Sequence, residues 1–422
     1  MTVDRRAFLK AGGLALVTLG AGPSFLHRAA RAVAAPGAHQ RRKVLVTLFQ
    51  RGAMDGLMAV SPVSAPELAK LRPRLALSAA RGGDLLDLGV GYALHPALKP
   101  LLEPWREGRL AVVHGVGSPD PTRSHFDAQD YMETGTPGRK GTSSGWLNRA
   151  SGLLGHDATP FRAVSLTSAL PRSLYGDEPA VAVRRLEDFR LRSGGLMAGG
   201  VPGGAGTGQD LEALYRQTAQ DLLRDTGGET FEALDLLQRV PLRGYRPAGG
   251  ARYPRSPLGE SLRQIAMLIK ADVGLEVAFA ESGGWDTHVA QGTVNGSFAR
   301  HARDLADSIA AFWTDLGGRR DDVVVLTMTE FGRTVAENGA AGTDHGHGSC
   351  LFVLGNQVDG GKVHGELGPL APDNLYEGRD LPVTTDFRSV FSEVAGAHLG
   401  VPVGEELFPG WSGSRLPLFR RG

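Results

Sequence analysis

The sequence predicts an α/β fold: a mostly parallel central sheet with helices on both faces. Three observations carry that expectation. Short runs of β-branched and apolar residues recur without strict alternation, as strands buried on both faces require. Several of these runs end in a turn carrying carboxylates or imidazoles, and open α/β sheets bind ligands beyond the carboxyl ends of their strands. Amphipathic helical patterns lie between them, the clearest over residues 296–316 with Phe298, Leu305, Ile309, Phe312 and Leu316 on one stripe.

With 422 residues, 41% hydrophobic and 22% charged, the chain has ample length for a large core. A formal net charge of +1 gives no electrostatic footprint for nucleic acid. The 59 glycines suit a fold rich in strand-end loops whose backbone lies close to a ligand.

Residues 1–34 read as a twin-arginine signal peptide. The stretch DRRAFLK at 4–10 carries Arg5 and Arg6, a weakly apolar run follows over 11–26, and Ala32, Val33 and Ala34 form a small-residue cleavage site. That run is too short, and too interrupted by Gly and Pro, to be a stable membrane anchor. The expectation is therefore engagement of the twin-arginine export machinery and a periplasmic or extracellular destination. The single cysteine, Cys350, excludes an internal disulfide, and its apolar setting predicts packing rather than ligation.

Taken in order, residues 43–49 (KVLVTLF) predict a first buried strand, followed by a tight turn over 52–56 that carries Asp55. Asp-Gly is a common turn pair, and the end of a first α/β strand is also a frequent metal-ligand position. Residues 92–107 predict a short helix with Leu94, Leu98, Leu101 and Leu102 on one face, and 109–115 (RLAVVHG) a second core strand. In 117–135, Ser124 followed by Asp127 matches a capping box. A hydroxyl at a helix N-terminus also suits a nucleophile facing an anionic substrate, and the flanking Arg123 can pair with an oxyanion. RAVSLT at 162–167 and AVAV at 180–183 predict further strands.

Residues 193–209 form a Gly-rich loop that introduces helical patterns over 210–223, 229–240 and 256–271, a helical insertion spanning 210–271. Residues 273–280 (VGLEVAFA) predict another strand, and the loop after it presents Asp286 and His288, two apart and able to reach one ion. The richest stretch is 322–355. It reads as two buried parallel strands, with Glu330 and Arg333 after the first and Asp344, His345 and His347 in the Gly-rich loop before the second. Thr385 and Asp386 read as the cap of a last helix reaching residue 399, and 401–422 as a surface tail.

Collected, Asp55, Asp286, His288, Glu330, Asp344, His345 and His347 are oxygen and nitrogen donors without thiolates, which suits zinc, manganese or another divalent ion. Their number points to two ions about 3.5 to 4 Å apart, an arrangement that clamps the oxygens of phosphoryl transfer.

Six motifs, RGAMDGL, SHFDAQDYMETG, GGWDTH, TEFGRT, GTDHGHG and TTDFR, together with the leader, resemble the exported bacterial proteins called domain of unknown function 1501 over residues 42–399. The order of groups along the chain looks like that of the alkaline phosphatase and sulfatase superfamily. The resemblance implies a single alkaline phosphatase-like α/β domain over 42–400 that holds divalent ions (zinc, manganese, calcium or magnesium). It implies Asp55 on one ion, shared with Glu330 or with Asp344 and His345. Asp286 and His288 would hold the other, completed by His347 or His345. Ser124 would be the nucleophile, with Arg123 and Arg333 beside it. No cysteine stands where sulfatases carry their formylglycine, so phosphate esters are expected ahead of sulfate esters. The expected activity is metal-dependent hydrolysis of a small-molecule or polymer ester. Two rival expectations are an exported binding or assembly protein that turns nothing over, and a metal-free cluster that binds a carbohydrate or anion.

Overall fold

A computed structural model describes residues 41–78, 83–186, 240 and 244–420. The leader, the Gly-rich loop 193–209 and the helical patterns 210–223 and 229–240, apart from Val240, lie outside the described residues.

The strands are β1 (Val44–Gln50), β2 (Val60–Pro62), β3 (Leu86–Asp87), β4 (Tyr92–Leu94), β5 (Leu110–Gly117), β6 (Ala163–Ser165), β7 (Val181–Ala182), β8 (Val277–Ser282), β9 (Val323–Met328), β10 (Ser349–Gly355), β11 (Lys362–His364) and β12 (Thr385–Asp386). Nine of them build the main sheet in the order β11-β5-β10-β9-β1-β8-β6-β7, with β12 also on β5, while β2, β4 and β3 form a small separate sheet. Every pairing in the main sheet is parallel except the two made by β10, which runs antiparallel to both β5 and β9.

The reversal of β10 corrects the expectation that β9 and β10 are parallel. A parallel return needs a crossover of a dozen or more residues, usually a helix. Residues 329–348 form no helix and fold back on themselves instead. Gly332 N donates to His347 O at 2.8 Å, Gly346 N to Gly332 O at 2.8 Å and Thr334 N to Asp344 O at 2.9 Å. Glycine is required at 346, because a Cβ there would overlap the backbone of Arg333 on the facing arm.

Side chains of β1 alternate between two apolar layers. Val44, Val46 and Leu48 pack with Leu258, Leu262 and Ile265 of helix Pro257–Lys270 and with Phe298, Leu305 and Phe312 of helix Ser297–Leu316. Leu45 and Phe49 face the other way, toward Trp146 and Leu147 of helix Trp146–Gly152 and Phe387 and Phe391 of helix Phe387–Val394. The caps follow the chemistry of the sequence: Ser256 Oγ accepts from Gly259 N at 3.0 Å, and Asp386 Oδ1 accepts from Arg388 N at 2.9 Å. Cys350 is buried in β10, where burial pushes its thiol pKa up. The tail is anchored rather than loose, with Phe408 and Leu418 buried in the second layer.

Two expected elements are shifted. Residues 92–107 do not form one helix, because Pro96, Pro100 and Pro104 interrupt it; they give β4, a 3₁₀ stretch Pro96–Leu101 and a single α-turn Leu102–Arg106. The strand expected from 273 begins at Val277, since Asp272 (φ 54) and Gly274 (φ 82) turn the chain first. Among the described residues no helix is long and apolar enough to cross a membrane.

Two core histidines make the fold acid-sensitive. His114 on β5 donates from Nε2 to Val60 O, and His398 donates from Nε2 to Val44 O, each at 3.0 Å, and burial pushes both pKa values down to about 4. Between about pH 6.5 and pH 4 the unfolded chain takes up protons that the folded chain refuses. Stability is therefore full at neutral pH and lost as pH falls through that window, by about 2 kcal/mol for each group at pH 5. Thermal melts between pH 7.5 and 5 will show the loss, and His398→Gln will show a shallower one.

Candidate metal centre

The carboxyl ends of β1, β8 and β9 lie side by side, so the loops leaving them meet at one rim of the sheet. Gly52 is the knot between them. Its N–H donates to Glu330 Oε1 at 2.8 Å, and at φ +115 a Cβ would stand 2.5 Å from Asp286 N. The loop carrying Asp286 and His288 is tied to the 329–348 excursion by main-chain bonds: Thr343 N to Thr287 O at 3.1 Å, Ala290 N to Ala340 O at 3.0 Å and Gln291 N to Ala341 O at 2.9 Å.

Three imidazoles converge there, each anchored through Nδ1. His125 opens helix His125–Thr134, and its Nδ1 lies 2.8 Å from Glu330 Oε1. His288 Nδ1 lies 2.8 Å from Asp344 Oδ1, and His345 Nδ1 lies 2.9 Å from the carbonyl oxygen of Arg123. Both carboxyls are held below the usual range. Burial works to raise Glu330, but hydrogen bonds from His125, Gln129 and Gly52 outweigh it; Asp344 is lowered by Asn338 and then by His288. Ionised carboxylates and a carbonyl only accept hydrogen bonds, so each Nδ1 carries a proton and each Nε2 is turned inward.

Those Nε2 atoms meet. His345 Nε2 is 3.0 Å from His125 Nε2, 2.9 Å from His288 Nε2 and 3.2 Å from Asp286 Oδ1. Asp286 Oδ1 also lies 3.0 Å from His288 Nε2, and Oδ2 lies 3.5 Å from His125 Nε2. Lone pairs at such separations repel unless a proton or a cation stands among them. The hydrogen bond to Glu330 raises the His125 pKa, while burial and then the charge of His125 lower that of His345. Imidazole nitrogens and a carboxylate oxygen, each histidine steadied by an outer acceptor, are donor types that could hold a divalent ion. His125, Asp286 and His345 offer ligand atoms all within 4.8 Å of one another.

The residues expected from sequence fall into three groups. Asp286, His288 and His345 come together at the centre, with Glu330 and Asp344 behind them as acceptors. Arg333 is buried against them and donates from Nη1 to Asp286 Oδ1 at 2.7 Å; burial works to raise the Asp286 pKa, and this guanidinium outweighs it. Asp55 and His347 lie outside the cluster. Asp55 is buried in a two-pronged pair with Arg72, accepts from Gln291 and caps the turn Gly56–Ala59. His347 donates from Nε2 to Ser118 O at 2.9 Å and stands edge-on to Tyr376.

The Arg123 guanidinium is taken by Asp380 and Glu377, which leaves its carbonyl as the only part that touches the cluster. Ser124 stands at the N-cap position, but its side chain makes no cap hydrogen bond, so the capping box does not form. Ser124 lies in the chain between Arg123, whose carbonyl accepts from His345, and His125, which enters the cluster. His125 is the member of the cluster that sequence reasoning passes over as a mere neighbour of Ser124. The available signal is its spacing from Gln129: one helical turn apart, both reach Glu330 Oε1.

No curated protein matches the sequence. The profile of the family described as Protein of unknown function (DUF1501) matches residues 89–406, most of the chain, and the chain belongs to that family.

Proposed function

We propose that this chain is an exported, metal-dependent hydrolase of phosphate esters, less readily of sulfate esters, built on an alkaline phosphatase-like sheet. The observation that carries the reading is the convergence of Asp286 with three Nδ1-anchored imidazoles, one of them that of His125, next in the chain to Ser124, whose side chain makes no cap hydrogen bond. His125, His288, His345 and Asp286 would hold the ion, and the donors suit one ion better than the pair the sequence suggests, because the Asp55 oxygens are consumed by Arg72, Gln291 and Met58 N. Zinc or manganese fits a nitrogen-rich set best. A divalent ion there supplies charge stabilisation for a phosphoryl oxygen and lowers the pKa of a neighbouring hydroxyl.

The chain's own groups do the rest. Ser124 Oγ, its proton passing to solvent, would attack phosphorus as the P–O bond to the departing alcohol breaks, and water would then cleave the phosphoserine to release phosphate and restore the hydroxyl. The free N–H groups in the first turn of helix His125–Thr134 face the anion. Arg333 keeps Asp286 ionised and fixed in direction. Phe126 and Val289, 91% and 68% exposed, directly follow two of the histidines and give the rim an apolar character, which favours an ester with an apolar or aromatic leaving group. The leader is read as delivering the folded protein to the periplasm or beyond through the twin-arginine machinery.

The deciding experiment is Ser124→Ala with an aryl phosphate. Turnover should fall on the order of 10³-fold or more while metal content is unchanged; undiminished turnover removes Ser124 from the mechanism. Phe126→Ala should raise KM for the same ester several-fold with kcat kept. A second reading, an exported binding or assembly protein, follows if His288 joins His125, Asp286 and His345 as a fourth donor, the pattern of structural rather than open catalytic centres. Full metal content with no turnover of any phosphate or sulfate ester would select it.

A further inference from the structure

Asp55 does not reach the cluster, yet an unbroken run of buried side chains joins it to Asp286. Arg72 grips Asp55 with two nitrogens, at 2.8 and 3.2 Å, and donates to the carbonyls of Val335 and Thr334 at 2.7 and 2.8 Å. Gln291 Nε2 donates to Asp55 Oδ2 at 2.7 Å. Gln291 Oε1 accepts from Thr287 Oγ1 at 2.8 Å and from Thr343 Oγ1 at 2.7 Å. Thr343 Oγ1 in turn accepts from Arg333 Nε at 3.2 Å, and Arg333 Nη1 donates to Asp286 Oδ1 at 2.7 Å. Asp55, Arg72, Gln291, Thr343 and Arg333 are all buried.

The run has a direction. Asp55 accepts only, so the Gln291 amide must point its NH₂ toward the carboxylate and its oxygen toward the two threonines. The Thr343 proton is then committed to Gln291, and its lone pair is left to face Arg333 Nε. Arg333 is held on this side and at the Thr343 carbonyl, which fixes the one nitrogen that meets Asp286. Asp286 itself sits on a loop with its side chain 42% exposed, and Arg333 makes its shortest contact, 2.7 Å against 3.0 to 3.5 Å for the three imidazoles.

We infer that Thr343 and Gln291 are positioning residues for the metal centre, transmitting the placement of the buried Asp55–Arg72 pair through Arg333 to the Asp286 carboxylate. This rests on the metal-centre reading above. It makes Asp55 matter to the ion without touching it.

Thr343→Val is the clean cut. It keeps the shape and removes one hydroxyl, while Gln291 Oε1 keeps Thr287 and Arg333 keeps the Thr343 carbonyl, so the metal-free fold should be little changed. Zinc affinity, measured by competition with a chelator, should fall about 10- to 100-fold, as loss of an outer-shell group typically does. The visible spectrum of the cobalt-substituted protein should shift, and Thr343→Ser should return both to near wild type. Gln291→Met, which cuts the next joint, should move both readouts the same way and serves if the valine variant does not fold. Wild-type affinity and an unchanged cobalt spectrum in Thr343→Val, or failure of serine to rescue, overturns this inference alone. Wild-type protein that takes up no zinc overturns the metal-centre reading and this inference with it.

Discussion

On the metal-centre reading, replacing His345 by alanine should abolish metal retention: zinc in protein purified without chelators should drop from about one per chain to near none. The size of the effect follows from position. His345 Nε2 lies within 3.2 Å of His125 Nε2, His288 Nε2 and Asp286 Oδ1 alike. Its own orientation is set by the Arg123 carbonyl on the other ring nitrogen. Removing it takes away one donor and the common neighbour of the other three. His347→Ala is the matched control, because that ring is as prominent in the sequence but is spent on the Ser118 carbonyl. It should keep its zinc. A chelator should lower the melting temperature of wild type and of His347→Ala but not of His345→Ala, since only a bound ion adds stability by mass action.

Asp55→Ala should cost about 3–5 kcal/mol in denaturant unfolding, a large part of the stability of an ordinary domain. The loss comes from the partner left behind. Arg72 is 1% exposed, and without Asp55 its charge has only the Thr334 and Val335 carbonyls to face. The double replacement Asp55→Leu with Arg72→Met should recover much of the loss, because removing both charges leaves neither stranded. Were Asp55 itself a metal ligand, its removal would instead empty the site while changing the metal-free fold little.

Much of the sheet was legible in the sequence because its strands are buried on both faces. KVLVTLF and RLAVVHG announce β1 and β5 by composition alone, and the stripe from Phe298 to Leu316 announces the long helix by its period. Strand direction carries no such mark. CLFVLG reads the same either way along, and only the absence of a helix in 329–348 decides that β10 returns antiparallel. The prolines at 96, 100 and 104 were equally visible, and the leucine stripe masked what they forbid.

At the site, sequence reading pairs residues that share a loop, Asp286 with His288 and Asp344 with His345, and these four lie together in the fold. It fails where a partner far along the chain decides the role. Asp55 has the look of a ligand until Arg72 folds onto it. His125 has the look of a bystander until Glu330, on another strand end, turns its ring. His345 and His347 are separated by a single glycine, and neither spacing nor composition says which one reaches the centre.

The main-chain bonds that fasten Thr287, Ala290 and Gln291 to the 329–348 excursion run between backbone groups and draw on none of the side-chain atoms of the cluster. On the metal-centre reading proposed above, the two arms that carry His288 and His345 would thus be held at their working separation by the backbone itself, and capture of an ion would surrender little conformational entropy. Unlike small zinc domains that collapse when stripped, this one should stay native when emptied and refill reversibly, so that the supply of metal sets its occupancy rather than its survival.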